Sequence, residues 1–254
     1  MDEGRGQTVG STKRSIALLD AIVENGGEAE TDELVEALPL AVSTVYKHLR
    51  TLEEAGFVTK RDGRYRIGSK CLELGGYVRR YDDVYDTARD DVRRLAMETG
   101  ELANLMVEEQ GLGVYLYTER GEMAVNLDTG LGKRMPLNTT ALGKAILSTM
   151  NAARVDEIVE AHGLPERTPS TITDRDELAA ELERIRKEGV AYERNQRVKG
   201  ICCVAAPVVT EGNRRAAVSV TGPERRITEG RLHNEFADVV QRAANVIELN
   251  LTYE

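Results

Sequence analysis

Apolar residues in this chain recur at two periods, and the change from one to the other divides it. The early spacing is helical. Ile16, Leu19, Ile22 and Val23 share one face of a segment that Ser11 or Thr12 can cap and that the Gly26-Gly27 pair ends. Thr31 is then read as the N-cap of a short helix with Asp32 and Glu33 in its first turn and Leu34, Val35 and Leu38 inward, until Pro39 stops it. After a short connection Val45, Leu49 and Leu52 return at helical spacing, ending at Gly56. Residues 57–59 and 64–67 alternate as strands do, and Asp62-Gly63 between them signals a tight hairpin turn. A helix-rich stretch over 68–99 follows, interrupted at Gly75-Gly76 and carrying Val84, Ala88, Val92 and Leu95 on one side.

Beyond it the period shortens. In residues 101–110 Leu102, Asn104 and Met106 alternate with Ala103, Leu105 and Val107, and 113–118 and 122–127 read as two further strands of an antiparallel meander. Thr139 or Thr140 opens a helix over 141–150, and another covers 152–161. Thr173 and Asp174 precede Glu177 at capping-box spacing and start a helix over 175–187. Strands are expected at 190–193, 201–209 and 216–221, the last two joined by a turn at Glu211-Gly212-Asn213. A final helix over 228–250 carries Leu232, Phe236, Val239, Val240 and Ile247. The class is α+β: helices with a small hairpin first, then a mostly antiparallel sheet flanked by helices.

With Val45, Leu49 and Leu52 inward, Ser43, Thr44, Tyr46, Lys47, Arg50 and Glu54 point outward. Short hydroxyls followed by Tyr, Lys and Arg suit a helix whose first turns enter a major groove and reach phosphates and base edges. A hairpin tipped by Lys60, Arg61 and Arg64 would be the wing beside it. From Ala41 to Lys70 seven Lys or Arg face three acids, a local excess of +4 in a chain of net charge -9. The DNA-contact candidates are therefore Ser43, Thr44, Tyr46, Lys47, Arg50, Arg61 and Arg64, whereas His48, near the buried side, reads as a packing residue. The pattern also fits the solvated helical hairpin of a protein-interaction domain, and the basic wing and small polar helix start weigh against that.

Composition narrows the classes further. The 254 residues suffice for two domains, 41% are hydrophobic, and no apolar run approaches the roughly 20 residues of a membrane span. The polar start MDEGRGQTVGST has no signal-peptide core, so a cytoplasmic protein is expected. Cys71, Cys202 and Cys203 are odd in number and His48, His162 and His233 are scattered, which favours neither disulfides nor a metal site. Arginine outnumbers lysine 26 to 8 and Trp is absent, as in proteins of salt-loving organisms such as halophilic archaea. An acidic chain repels DNA overall, so any DNA-binding face must be a local basic patch.

The segments STVYKHLRTLEEAGFV and GRYRIG, and beyond them RMPLNTTALGKAIL, TPSTITDRDELAAELERIRKEGVAYERN, GICCVAAPV and AAVSVTGP, resemble the signature blocks of the IclR family of transcriptional regulators, along nearly the whole chain from about Ser11 to Asn250. The resemblance implies a winged helix-turn-helix over 12–73, a linker helix region over 74–95, and a GAF-like effector-binding domain over 96–254. It implies a homodimer or a dimer of dimers on palindromic double-stranded operator DNA, no cofactor, and control by a small effector, a carboxylate or a sugar-derived metabolite. The family's effector pocket falls here on Ala141, Leu142, Gly143, Glu193, Cys203, Ser219 and Thr221.

A physical argument stands beside that likeness. Amide groups at a helix start near 141–144 form an anion site, and Ser219 and Thr221, two apart on a strand, place their hydroxyls on one face. Those hydroxyls can equally satisfy each other in a buried sheet, and Lys144 can neutralise an anion or serve as a surface salt-bridge donor. Lys47, His48 and Asn138 stand where arginine, leucine and histidine are common in the family, and the double cysteine departs from a single one. An enzyme with Cys203 as nucleophile lacks a visible Cys-His-Asp set. A ligand-free architectural DNA binder would leave the large second domain without a task.

Overall fold

The helical-period half of the sequence folds around Leu18, Ile22, Leu34, Val45 and Leu49, all buried. In this computed structural model residues 8–209 and 214–253 are described, and the chain divides into two units, one through Tyr81 and one from Asp82. The first unit comprises α1 (Gly10–Glu24), β1 (Glu28–Ala29), α2 (Thr31–Ala37), α3 (Val42–Glu54), β2 (Val58–Arg61), β3 (Arg64–Ile67) and α4 (Ser69–Arg80). The β2–β3 hairpin turns at Asp62 (φ 52°) and Gly63 (φ 82°), the paired left-handed conformation of a tight two-residue turn.

Five details of this unit differ from the expectations. The inward face of α1 is Leu18, Ala21 and Ile22, whereas Ile16 and Val23, expected on that face, are exposed. Helix α1 starts after Val9 without a side-chain cap, not at Ser11 or Thr12. The cap of α2 is Glu30 rather than Thr31: its carboxylate takes the Glu33 amide while Glu33 accepts the Glu30 amide at 2.7 Å, satisfying two helix-start donors where Thr31 would satisfy one. An unforeseen two-residue strand, β1, pairs Glu28 with Arg66 and Ala29 with Tyr65. Gly75-Gly76 does not interrupt α4, because mid-helix glycine costs only about 1 kcal/mol. The break falls at Tyr81 instead.

The second unit begins with α5 (Asp83–Thr99), capped by Asp82, which accepts the Tyr85 amide at 3.0 Å. Then come β4 (Leu102–Glu109), β5 (Leu112–Arg120), β6 (Arg134–Pro136), a 3-10 turn at Leu137–Thr139, α6 (Ala141–Ser148), α7 (Ala152–His162), α8 (Arg175–Glu188), β7 (Ala191–Arg194), β8 (Ile201–Val209), β9 (Arg215–Pro223), a π-helical turn at Arg231–Phe236 and α9 (Ala237–Tyr253). The six strands form one antiparallel sheet in the order β6-β5-β4-β9-β8-β7. Helices α5 and α9 cover one face around Val92, Leu105, Val218 and Phe236, and α6 and α8 cover the other around Met106, Ile146, Leu182 and Ala205. Burial on both faces explains why β4, β8 and β9 read as almost continuous apolar runs.

The strand expected at 122–127 is absent, and β6 completes the meander instead. Arginines hold the backbone there: the Met123 carbonyl accepts from Arg226 at 2.6 Å and the Ala124 carbonyl from Arg120 at 3.4 Å, so those carbonyls are not available to a ladder. The turn expected at Glu211-Gly212-Asn213 lies outside the described residues.

Candidate nucleic-acid interface and ligand site

Helix α3 is fixed from within by Val45, Leu49 and Leu52, and His48 is tied to α1 by a 2.8 Å hydrogen bond between its Nδ1 and Ser15. That orientation leaves Ser43, Tyr46, Lys47 and Arg50 exposed and Thr44 half-buried on the outer face. Arg50 is held by Glu54 one turn on, at 2.9 Å, with the Arg50 side chain 82% exposed. At the hairpin tip Arg61 is equally open, beside Asp62 at 3.7 Å.

Arg64 is placed differently. Its guanidinium lies against Glu28 at 3.1 Å, Glu30 at 2.7 Å and Glu33 at 3.1 Å, and only 29% of the side chain is exposed. Arg66 likewise pairs with Glu28. These acids precede Ala41, so a charge count begun there overstates the basic excess. Over residues 8–81 eleven Lys or Arg meet eleven Asp or Glu, so the basic face is an arrangement and not a net charge. It consists of Lys47, Arg50, Lys60 and Arg61, all exposed.

In the second unit the ligand candidates meet on the sheet face under α6. Cys203 lies across from Glu193 on β7 and Thr221 on β9, Ser219 lies across from Asn104 on β4, and Asn104 from Thr118 on β5. The register shifts between Leu105 and Met106, leaving Leu116 without an opposite residue, and this bulge puts Tyr115 and Thr118 on the same face. The Thr221 hydroxyl donates to Cys203 Sγ at 3.1 Å, Asn104 Nδ2 lies 3.5 Å from Ser219 Oγ, and the Thr118 hydroxyl donates to Asn104 Oδ1 at 3.1 Å. A row of polar groups, buried except for the half-buried Thr118, therefore crosses four strands.

Glu193 holds the loop after β7. Its Oε1 accepts the amides of Gln196 at 2.9 Å and Arg197 at 3.0 Å, while burial pushes its carboxyl above the ordinary range against the pull of those amides, Lys144 and Arg197. Cys203 is a packed thiol raised by burial to about 12, and His48, His162 and His233 have partners elsewhere in Ser15, Gln110 and Glu229. A nucleophilic cysteine needs the opposite environment.

Lys144 is no surface donor. It is fully buried, and its ammonium donates to Glu181 Oε1 at 3.0 Å, the Tyr192 carbonyl at 2.7 Å and Gln196 Oε1 at 2.7 Å, which uses all three protons. At the start of α6 Ala141 and Leu142 are buried, and the Gly143 amide is already taken by the Thr140 hydroxyl at 2.9 Å. A Cβ on Gly143 would stand 2.1 Å from the Leu137 carbonyl oxygen, so glycine there permits the 3-10 turn to lie against the helix. The amide-based anion site is correspondingly smaller than the sequence suggested. Asn138, at a position of family departure, ties the Ile172 carbonyl at 2.9 Å and the Pro165 carbonyl at 3.2 Å.

Asn104, Tyr115, Thr118 and Arg197 belong to this site and were not among the candidates. Asn104 carried a signal, as the one amide in the alternating run 102–107. Arg197 carried none, since a loop residue's direction is set by anchors distant in sequence.

A helix-turn-helix with a wing, followed by a unit that buries a polar row beneath a helix start, defines a DNA-binding regulator with a ligand-binding domain. The chain belongs to the IclR family: residues 11–62 match the IclR helix-turn-helix domain and residues 77–249 match the bacterial transcriptional regulator IclR C-terminal domain. It is 28% identical over 246 residues to the HTH-type transcriptional regulator XynR of Escherichia coli strain K12, covering 96% of this chain and 97% of that protein. The crystal structure of Thermotoga maritima IclR matches with a TM-score of 0.77 and 35% identity, over 96% of this chain and 99% of that one. An IclR homologue from Microbacterium hydrocarbonoxydans, complexed with 4-hydroxybenzoate, shares the fold at a TM-score of 0.80, with 20% identity over 96% of this chain and 100% of that one. The protein is thus an IclR-type DNA-binding transcriptional regulator with an effector-binding C-terminal domain, in a family of regulators and not enzymes. Among the described residues no helix is long and apolar enough to cross a membrane.

Proposed function

We propose that Ser43, Thr44, Tyr46, Lys47 and Arg50 on α3 read a palindromic operator through the major groove, that Arg61 at the hairpin tip reaches a phosphate, and that the chain binds as a homodimer or a dimer of dimers. The observation that carries this reading is the orientation of α3: its apolar residues are buried while its hydroxyl and cationic residues face outward. Arg64, occupied by three carboxylates, serves to hold β3 against β1 and α2. Support for pairing comes from α4 and its C-cap, where Leu74, Tyr77, Val78 and the capping Tyr81 recur at helical spacing, all exposed, on a helix with no buried residue.

In this reading Glu193, Cys203, Ser219, Thr221 and the α6 start at Ala141, Leu142 and Gly143 surround a small carboxylate or sugar-derived effector. The aromatic carboxylate held by the Microbacterium homologue supports a ligand of that kind. The effector alters DNA affinity by binding one arrangement of the paired chains more tightly than another. Replacing Lys47 or Arg50 with Ala tests the DNA face: an anisotropy titration on the operator at fixed salt should show a loss of roughly 1–3 kcal/mol for each residue that pairs with a base. Wild-type affinity in both variants would remove α3 from the reading role.

A further inference from the structure

Most arginines of the second unit face a carboxylate: Arg154 meets Glu108, Arg175 Asp156, Arg184 Glu181, Arg194 Glu224, Arg226 Glu101 and Arg231 Glu235. Arg197 does not. Among the described residues its guanidinium has only neutral acceptors: Nη1 donates to the Tyr115 hydroxyl at 2.8 Å and Nη2 to the Asp128 carbonyl, and its central carbon sits 5.5 Å from the Tyr115 ring centroid. It bridges β5 and the segment between β5 and β6, beside the polar row.

The loop that presents Arg197 is anchored from three directions. Glu193 accepts the amides of Gln196 and Arg197, the Gln196 side chain accepts from Lys144, and the hydroxyls of Thr168 and Thr171 reach the Asn195 and Gln196 carbonyls. Such anchoring sets the guanidinium's place before any ligand arrives. More positive charge is gathered there. Lys133 pairs with the exposed Asp128 carboxylate, and burial, Arg197 and Arg167 together pull its ammonium below the ordinary range. Two acids stand nearby, Asp128 at the surface and the buried Glu193, whose ionised form burial disfavours.

We propose that Arg197 is the anion-selecting group of the effector pocket and the clasp across its mouth, exchanging the Asp128 carbonyl and Tyr115 hydroxyl for a carboxylate of the metabolite. Charge-assisted, two-pronged pairing with a carboxylate is stronger than bonds to a carbonyl and a phenol, so the exchange favours the bound state. The rest of the molecule then lies along Thr221, Ser219, Asn104 and Thr118, which supply hydroxyl and amide partners. This selects a small carboxylate bearing hydroxyl groups over a neutral sugar or an amine. The assignment rests on the effector reading above and adds to it a charge class and a residue.

The test uses the full chain, with sodium glyoxylate, pyruvate, gluconate and 4-hydroxybenzoate set against glucose and 4-hydroxybenzamide, followed by thermal melting and calorimetric titration. At least one carboxylate should raise the melting temperature while the neutral compounds do not. Arg197→Met should weaken that carboxylate at least about tenfold, the loss of a charge-assisted hydrogen bond, and Arg197→Lys should recover part of it. Tyr115→Phe, which removes a competing acceptor, should bind as well as the wild type or better. A purely structural clasp would instead make Arg197→Met and Tyr115→Phe equally defective, and that outcome overturns the proposal. Unchanged carboxylate affinity in Arg197→Met also overturns it, and melting of the ligand-free variants shows whether folding is affected. Binding of neutral compounds alone would overturn the charge assignment and leave the effector reading standing, whereas no response to any compound would remove both.

Discussion

Replacing Lys144 with Met isolates what a buried cation does in this fold. The substitution leaves the Tyr192 carbonyl and the Gln196 side-chain oxygen without the donor they now have at 2.7 Å each, and a buried acceptor so orphaned costs about 1–3 kcal/mol. Glu181 is not stranded, because Arg184 still holds it through bonds of 2.9 and 3.0 Å. Its carboxyl, raised by burial but lowered more by Arg184 and Lys144 together, therefore stays paired. Against the loss stands the relief of removing an ammonium from the interior, a desolvation cost of several kcal/mol that the lost attraction to Glu181 partly offsets. Here Lys144 serves two neutral oxygens besides its counter-ion, so the orphaned acceptors should outweigh the relief by about 1–3 kcal/mol. In a unit of this size that lowers the melting temperature by roughly 3–10 °C in a calorimetric scan. The loop bearing Arg197 should loosen with it, weakening carboxylate binding. A Lys144→Met chain that melts at or above the wild-type temperature would refute the reasoning, because its bonds would then be worth less than its desolvation.

Two further substitutions separate scaffold from contact. Arg64→Ala should lower the stability of the first unit by about 1 kcal/mol, the scale of a half-exposed ion-pair network, and leave the salt dependence of DNA binding unchanged. A slope smaller by about one would return Arg64 to the phosphate contacts. Glu193→Gln should change the pH profile of unfolding. The folded-state pKa of Glu193 is raised by burial, so the native state holds its proton longer than the unfolded chain. Its contribution is fully present below the unfolded pKa and is lost as pH rises through the folded one. Wild-type stability relative to Glu193→Gln should therefore fall with rising pH across that window, and parallel profiles in the two proteins would contradict the assigned environment.

Local signals made much of this architecture legible. Helical spacing in Val45, Leu49 and Leu52 correctly oriented α3, the Asp62-Gly63 pair located the hairpin turn, and Asp174 capped α8 through the Asp176 and Glu177 amides as its spacing suggests. What sequence order concealed was distant pairing. Glu28, Glu30 and Glu33 reach Arg64 only because β1 lies beside β3, a two-residue strand too short to leave a pattern. Lys144 read as either an anion partner or a surface salt-bridge donor, the second because charge normally means exposure, yet its helix is buried on every side. The residues at 122–127 have a strand's composition, but arginines from elsewhere occupy two of their carbonyls. Ser219 and Thr221 came from the family resemblance, with their spacing placing both hydroxyls on one face, whereas Tyr115 and Thr118 share that face only through a bulge that composition does not announce.

The most direct measurement is an anisotropy titration, at one fixed salt concentration, of the full chain on genomic fragments recovered by their binding to it, with and without the carboxylate that raises its melting temperature. A paired α3 reading head predicts two half-sites about one helical turn apart, or a multiple of it. The carboxylate should shift the affinity by about 5-fold or more. Sequence-indifferent binding, or affinity for the recovered fragments that no stabilising carboxylate changes, would contradict the account.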